Sequence, residues 1–237
     1  MVNMTTGESF RKGIKDGIPI GLGYFAVSFT FGILAVGGGL PVWQAVLISL
    51  LNLTSAGQFA GLSIIFAAGS YWEMALTQFI INLRYSLMSF SLSQKLRRDV
   101  PFFHRFIAAA GVTDEIFGIT SAQEGKVHPA YMYGAMCVAI PGWSLGTLAG
   151  ALSGSVLPEV LMSPLSVALY GMFIAIVIPP SKKSRPVLAV VVAAMAVSTV
   201  FTYAPGLREI SSGFAIIIIT VLIAGMAAVL APVGEDE

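Results

Sequence analysis

The chain has 237 residues, 56% of them hydrophobic and 11% charged, with mean hydropathy +0.85 and a formal net charge of +1. A water-facing domain carries about 25% charged residues, so a soluble fold is excluded. The near-zero net charge likewise excludes the basic stripe of a nucleic-acid binder.

From the N-terminus, Arg11, Lys12 and Lys15 precede an apolar run in the manner of a secretory signal. That run is about 20 residues long, enough to span a bilayer at 1.5 Å per residue. No A-x-A site closes it, so the expectation is a retained first helix. No Asp, Glu, Lys or Arg occurs between Asp16 and Glu73, and only Glu159 interrupts the stretch from Lys126 to Lys182. Candidate segments are 17–36, 43–68, 73–94, 106–124, 129–152, 164–178, 187–203 and 213–231. Turn chemistry separates them: Gly37-Gly38-Gly39-Leu40-Pro41, His128-Pro129, Pro179-Pro180 and Ala204-Pro205-Gly206. The fold class expected is an all-α, polytopic transmembrane bundle of about 6–8 segments in a single integral membrane transporter domain over 1–237. Cys137, the one cysteine, sits in an apolar run and reads as a small buried side chain.

Lys and Arg in short loops favour the cytoplasm. Three basic clusters stand out: Arg11/Lys12/Lys15, Lys95/Arg97/Arg98/Arg105 and Lys182/Lys183/Arg185. If every candidate segment crosses, the second cluster falls opposite the first. The conflict disappears if 43–68 and 106–124 each enter and leave on one side, broken near 52–58 and 111–118. Asn52-Leu-Thr-Ser-Ala-Gly-Gln58 and Thr113-Asp114-Glu115 supply the polar content such breaks need. A second reading stays open, in which one of them is an ordinary helix and the charge rule is violated.

Gly142, Gly146, Gly150 and Gly154 recur every fourth residue, as do Gly13, Gly17 and Gly21, extended by Ser28 and Gly32. In lipid, such strips let helices approach closely. They serve either packing inside one chain or a subunit interface.

Ionisable groups at bilayer depth cost at least about 2.5–3.5 kcal/mol and usually face a cavity or a partner charge. Arg84 lies mid-way along 73–94, where Gln78, Asn82, Tyr85, Ser89 and Ser93 share one face. Two residues from Asn82, Arg84 points about 200° away around the axis, toward a neighbour such as Asp114 or Glu115. Those two acids are also proton-relay candidates. Asn52, Thr54, Ser55 and Gln58 at the first break, with Asn82 and Tyr85, suit a zwitterion. Unwound amides and a half-helix N-terminus attract a carboxylate, and freed carbonyls or an acid attract an ammonium. The alternative is that they only satisfy the broken backbone. Asp16 at the interface fits either a polar role or an N-cap. His104 and His128 fall in loops without HExxH or a carboxylate cluster, so neither a metal nor another cofactor is expected. Ser155 has no base at its depth for hydrolysis.

Lys15-Asp16-Gly17-Ile18-Pro19, Ser28-Phe-Thr-Phe-Gly32, Ser55-Ala-Gly-Gln-Phe59, Asn82-Leu-Arg84 and Thr113-Asp114-Glu115 together resemble the AzlC family of branched-chain amino acid permeases, most clearly over 13–120. Enzyme signatures are absent from the sequence, and the resemblance implies a multi-pass protein of the cytoplasmic membrane. It would export valine, leucine or their analogues on an ion or proton gradient. It also implies a small AzlD-type membrane subunit as partner. A branched side chain needs an apolar pocket, for which Phe29, Phe31, Phe59 and Phe79 are candidates by their nearness to the polar breaks; the alternative is that each is ordinary lipid-facing or core packing. The competing readings are a channel or secondary transporter for another small solute, a scaffold subunit and an intramembrane hydrolase.

Overall fold

The computed structural model describes residues 4–97, 99–153, 178, 181–182 and 184–230. The helices are α1 (Thr6–Gly37), α2 (Val42–Leu51), α3 (Ser55–Phe66), α4 (Tyr71–Lys95), α5 (Phe103–Ala110), α6 (Asp114–Ser121), α7 (Pro129–Ser153), α8 (Arg185–Tyr203) and α9 (Ser212–Leu230). Among the described residues, four helices (α1, α7, α8 and α9) are long and apolar enough to cross a membrane. The chain is therefore a helical membrane protein. The expected segment 164–178 lies, apart from Ile178, outside the described residues, as does Gly154. By contacts the chain forms two compact units, Met1–Gln58 with Asn82–Met162 and Phe59–Ile81 with Ser163–Glu237.

In the first unit, α1 begins eleven residues before the apolar run expected at 17–36. Thr5 caps it in a capping box: its hydroxyl accepts from the Glu8 amide, and the Glu8 carboxylate accepts from the Thr5 amide at 2.8 Å. The helix starts with polar turns that hydropathy alone leaves out, then runs on into the apolar span. The two glycine strips meet each other. A Cβ at Gly13 would stand 1.9 Å from the Tyr131 carbonyl oxygen, one at Gly142 2.4 Å from that of Gly21, and one at Gly150 1.9 Å from that of Phe29. Packing inside one chain is thus what both strips do, with backbone against backbone. The contacts advance together along both helices, from Gly13 beside Tyr131 to Gly32 beside Thr147, so α1 and α7 run parallel. Cys137 is exposed on α7 rather than buried. The inward face of that helix is set by Tyr131, Ala135 and Ala139, and Cys137 falls between its rows.

The direction of α4 follows from its end. The Arg97 amide donates to the Val127 carbonyl at 3.0 Å, and the Val127 amide to that of Lys95 at 3.0 Å. Lys126 Nζ reaches the Gln94 carbonyl at 2.6 Å. Val127 leads straight into α7, beside the start of α1, where the Thr6 hydroxyl meets His128 Nε2 at 3.4 Å. Lys95 therefore lies at the N-terminal end of α1. Arg84, eleven residues earlier, reaches Asp114, whose neighbour Glu115 meets Tyr24 well along α1. The Asn82–Lys95 part of α4 thus runs antiparallel to α1 and α7.

Lys95 and Val127 lie together at the end of the unit where α1 begins, so the α5/α6 pair starts and finishes at that end. The basic groups Arg11, Lys12, Lys15, Lys95 and Arg97 share it. The breaks have local causes. Asn52 closes α2 outside helical geometry, at φ −136° and ψ 90°, and the Thr54 hydroxyl caps α3 by accepting from the Gly57 amide at 3.0 Å. Gly111 closes α5, and the Thr113 hydroxyl caps α6 by accepting from the Ile116 amide at 3.3 Å.

In the second unit, α8 opens at Ser184 with Pro186 in its first turn, and a 3-10 turn at Leu207–Glu209 joins it to α9. Gly206 takes φ +87°, a conformation that favours glycine.

Candidate functional site

The break between α2 and α3 holds an uncharged network. Gln58 Nε2 donates to Ser49 Oγ at 3.0 Å, and Ser49 Oγ shares a hydrogen bond with Thr147 Oγ1 of α7 at 2.7 Å. Ser49 and Thr147 are fully buried and Thr54 and Gln58 nearly so. Gln58 Oε1 and Ser144 Oγ, the latter one turn before Thr147, are buried without a hydrogen-bond partner. Asn52 ends α2 and Ser55 opens α3, both partly buried. Buried polar atoms without partners cost roughly 1–3 kcal/mol each, so this network keeps unused capacity.

The break between α5 and α6 is charged. Arg84 Nη1 of α4 pairs with Asp114 Oδ2 at 2.7 Å, both side chains partly buried. Arg84 Nη2 also donates to Tyr85 Oη at 3.1 Å, the guanidinium carbon lying 4.9 Å from the centre of the Tyr85 ring. Tyr85 was expected on the face away from Arg84. Two long adjacent side chains fold back far enough to meet, which the 100° step between them does not forbid. Glu115 does not contact the arginine. It accepts a hydrogen bond from Tyr24 Oη of α1. The Tyr24 ring stands edge-on to Trp143 of α7, centroids 5.3 Å apart, and Trp143 buries its Nε1–H without a partner at 2% exposure. Asp114 and Glu115 occupy the first turn of α6, where the positive end of a helix dipole favours carboxylates.

The structure thus gathers Arg84, Tyr85, Asp114 and Glu115 in one cluster, and Thr54 with Gln58 in the other. Asn82 stands on α4 two residues before Arg84, partly buried. Sequence reasoning missed Ser49, Thr147, Tyr24 and Trp143. They are single polar or aromatic residues in apolar helices, with partners about a hundred positions away, and no local spacing marks them. Of the pocket phenylalanines, Phe31 is fully buried while Phe79 is 63% exposed and faces outward, so it lines no pocket.

Below the charged break, Arg105 Nη1 donates to Ser93 Oγ at 2.9 Å. Beside them lies a cavity of ≈ 20 Å³ that reaches Val112 of the break and Met132. It has room for about one water. Toward the basic end, Tyr131 Oη donates to Asp16 Oδ2 at 2.8 Å and accepts from Gln123 Nε2 at 3.0 Å. Lys12 Nζ completes the chain on Gln123 Oε1 at 2.6 Å. Asp16 therefore holds Tyr131 rather than capping α1, whose cap is Thr5. His104 lies in the first turn of α5, its Nδ1 2.8 Å from Tyr133 Oη.

A helical membrane protein with two interrupted, polar-centred helix pairs and a parallel helix pair whose backbones meet at glycines is the class that this architecture defines. Residues 19–157 match the AzlC protein family. The chain belongs to that family. It is 31% identical over 195 residues to an uncharacterized membrane protein of Archaeoglobus fulgidus, covering 81% of this chain and 84% of the relative. It is 29% identical over 203 residues to the inner membrane protein YgaZ of Escherichia coli K12, covering 82% and 83%. A membrane protein of Helicobacter pylori is 26% identical over 158 residues, covering 62% and 67%. No solved structure matches. Family and relatives support a role in membrane transport.

Proposed function

We propose that this protein exports branched-chain amino acids across the cytoplasmic membrane, driven by an ion or proton gradient and together with a small AzlD-type membrane subunit. The observation that carries the reading is the Arg84–Asp114 pair at the broken end of α6. An amino acid is a zwitterion, and an opened Arg–Asp pair is its mirror: the guanidinium takes the carboxylate bidentately, and the aspartate takes the ammonium. Binding then replaces one ion pair with two, so neither protein charge is left unpaired at depth. Glu115, held by Tyr24, is the second acid available to the ammonium. The hydroxyl and amide groups of Asn52, Thr54, Ser55 and Gln58, with Asn82, line the path through the other break. The family resemblance supplies the aliphatic specificity, the partner and the direction. The name of the Escherichia coli relative favours the inner membrane.

Efflux of labelled valine, leucine and isoleucine from loaded cells, with and without the small partner, tests the reading. Saturable efflux above that of empty cells is expected. Efflux equal to that of empty cells in both arms rejects it.

A further inference from the structure

We propose that one face of α1 seats an anionic phospholipid of the leaflet at the basic end of the first unit, its phosphate on Arg11 and Lys15 and an acyl chain along Ile18, Leu22 and Phe25. These five residues follow one another at steps of four, three, four and three, so they stand on one side of the helix. All five are exposed. The side docked on α7 carries Gly13, Gly17 and Gly21 instead. Two observations set this face apart from an ordinary lipid-facing surface.

The first is its length. Lys15 and Phe25 are ten residues apart, about 15 Å at the helical rise. That is the depth of one leaflet in a hydrocarbon core about 30 Å thick. Beyond Phe25 the same side closes. Phe29 is only partly exposed, and Ile33, three turns on from Leu22, is 2% exposed. The open strip is therefore as deep as one acyl chain rather than as deep as the bilayer. Beside it Gly23 is exposed, and a side chain begun there would meet nothing within 4 Å, so the strip has an open flank.

The second is its charge. Arg11 and Lys15 lie six and two residues before Gly17, where the apolar run opens. Those steps are about 9 and 3 Å along the axis, at the level of a headgroup layer roughly 5–7 Å thick on each side of the core. Among the described residues neither cation forms an ion pair. The acids that flank them on α1 are engaged: Glu8 accepts from the Thr5 amide, and Asp16 accepts from Tyr131. Lys12, on another side of the helix, is held by Gln123. Two cations one turn apart can share one phosphate, while their aliphatic stems lie along the apolar strip. A second copy of this chain would set the same two cations against them. An anionic headgroup supplies the charge that the face lacks.

The test uses the full chain. Native mass spectrometry in detergent compares phosphatidylglycerol with phosphatidylcholine of the same acyl chains. One phosphatidylglycerol is expected to bind in preference. Arg11→Gln and Lys15→Gln should each reduce that preference roughly fivefold, the contribution of one cation near a charged lipid surface. Lys95→Gln removes a charge from the same end but off this face, and should leave the preference unchanged. In vesicles of the wild-type chain, phosphatidylglycerol with a photoreactive acyl chain is expected to label residues 18–25, a result that depends on no variant's folding. Equal binding of the two lipids, an equal loss in Lys95→Gln, or labelling that spares residues 18–25 overturns the proposal. So does a dimer that Leu22→Ala dissociates, which would give the face to a second copy.

Discussion

The two interrupted helix pairs solve the same backbone problem with different chemistry. Each is two short helices with three residues between them out of helix, and a threonine caps the second helix of each. At the α2/α3 break the polar groups are hydroxyls and an amide, buried and neutral. At the α5/α6 break they are an arginine, two acids and two tyrosines, partly buried. A neutral network satisfies unwound backbone at little electrostatic cost. A charged one must keep every partner or lose several kcal/mol. In the proposed export cycle the second break is therefore where a charged solute exchanges with protein charges, and the first is a lining.

The proposal that both interrupted pairs enter and leave on one side of the membrane is the first thing to break. Cysteines placed at Leu40 and Arg97 bracket the first hairpin and the down-running helix. They are expected to label from opposite faces of the membrane, with Arg97→Cys on the same face as Lys15→Cys. Labelling of the Leu40 and Arg97 positions from one face means that α2 and α3 cross, and the comparison loses its basis.

Removing charge at the second break carries the next largest effect. Hydrogen bonds to charged groups are worth about 1.5–3 kcal/mol, so Asp114→Ala is expected to reduce efflux on the order of ten- to hundredfold. Arg84→Glu should do the same. Combining it with Asp114→Arg restores a pair but reverses its poles and sets a cation against the start of α6, where the helix dipole disfavours it. The double variant is therefore expected to fold and stay inactive. Recovery of efflux in the double variant makes the pair a helix dock and removes it from the solute path. At the neutral break, Gln58→Ala or Thr147→Val deletes one uncharged hydrogen bond of roughly 0.5–1.5 kcal/mol. There the expected change is a few-fold rise in apparent KM with maximal rate kept. A loss as deep as that of Asp114→Ala would erase the distinction between the two sites.

Much of this architecture is legible in the sequence because lipid makes polar residues conspicuous. Asn52 to Gln58 and Thr113 to Glu115 stand out as islands in apolar runs, and both mark observed breaks. The glycine strips are visible at their four-residue spacing, but their mutual docking is not, since spacing names a face and never its partner. The Arg84 azimuth narrows its partner to a neighbouring helix; the choice of Asp114 over Glu115 depends on where Tyr24 sits, ninety positions away. The start of α1 at Thr6 escapes hydropathy because a helix can project its first polar turns beyond the apolar span.

The two caps give the smallest and most symmetrical effect. Thr54→Ala and Thr113→Ala each remove one side-chain acceptor at a buried helix start, where no water replaces it. N-cap losses run about 0.5–2 kcal/mol, so each variant is expected to lower the unfolding midpoint by a few degrees. The losses should match, because the capping geometry does: the hydroxyl accepts from the third residue onward in both, at 3.0 and 3.3 Å. Transport should separate them. Thr113 positions Asp114 directly, so its loss frees the Arg84 partner as well as the helix end, whereas Thr54 supports only a neutral lining. Equal loss of stability with a deeper loss of efflux in Thr113→Ala is the expected pattern. Equal loss in both measurements means that the charged break acts through stability alone.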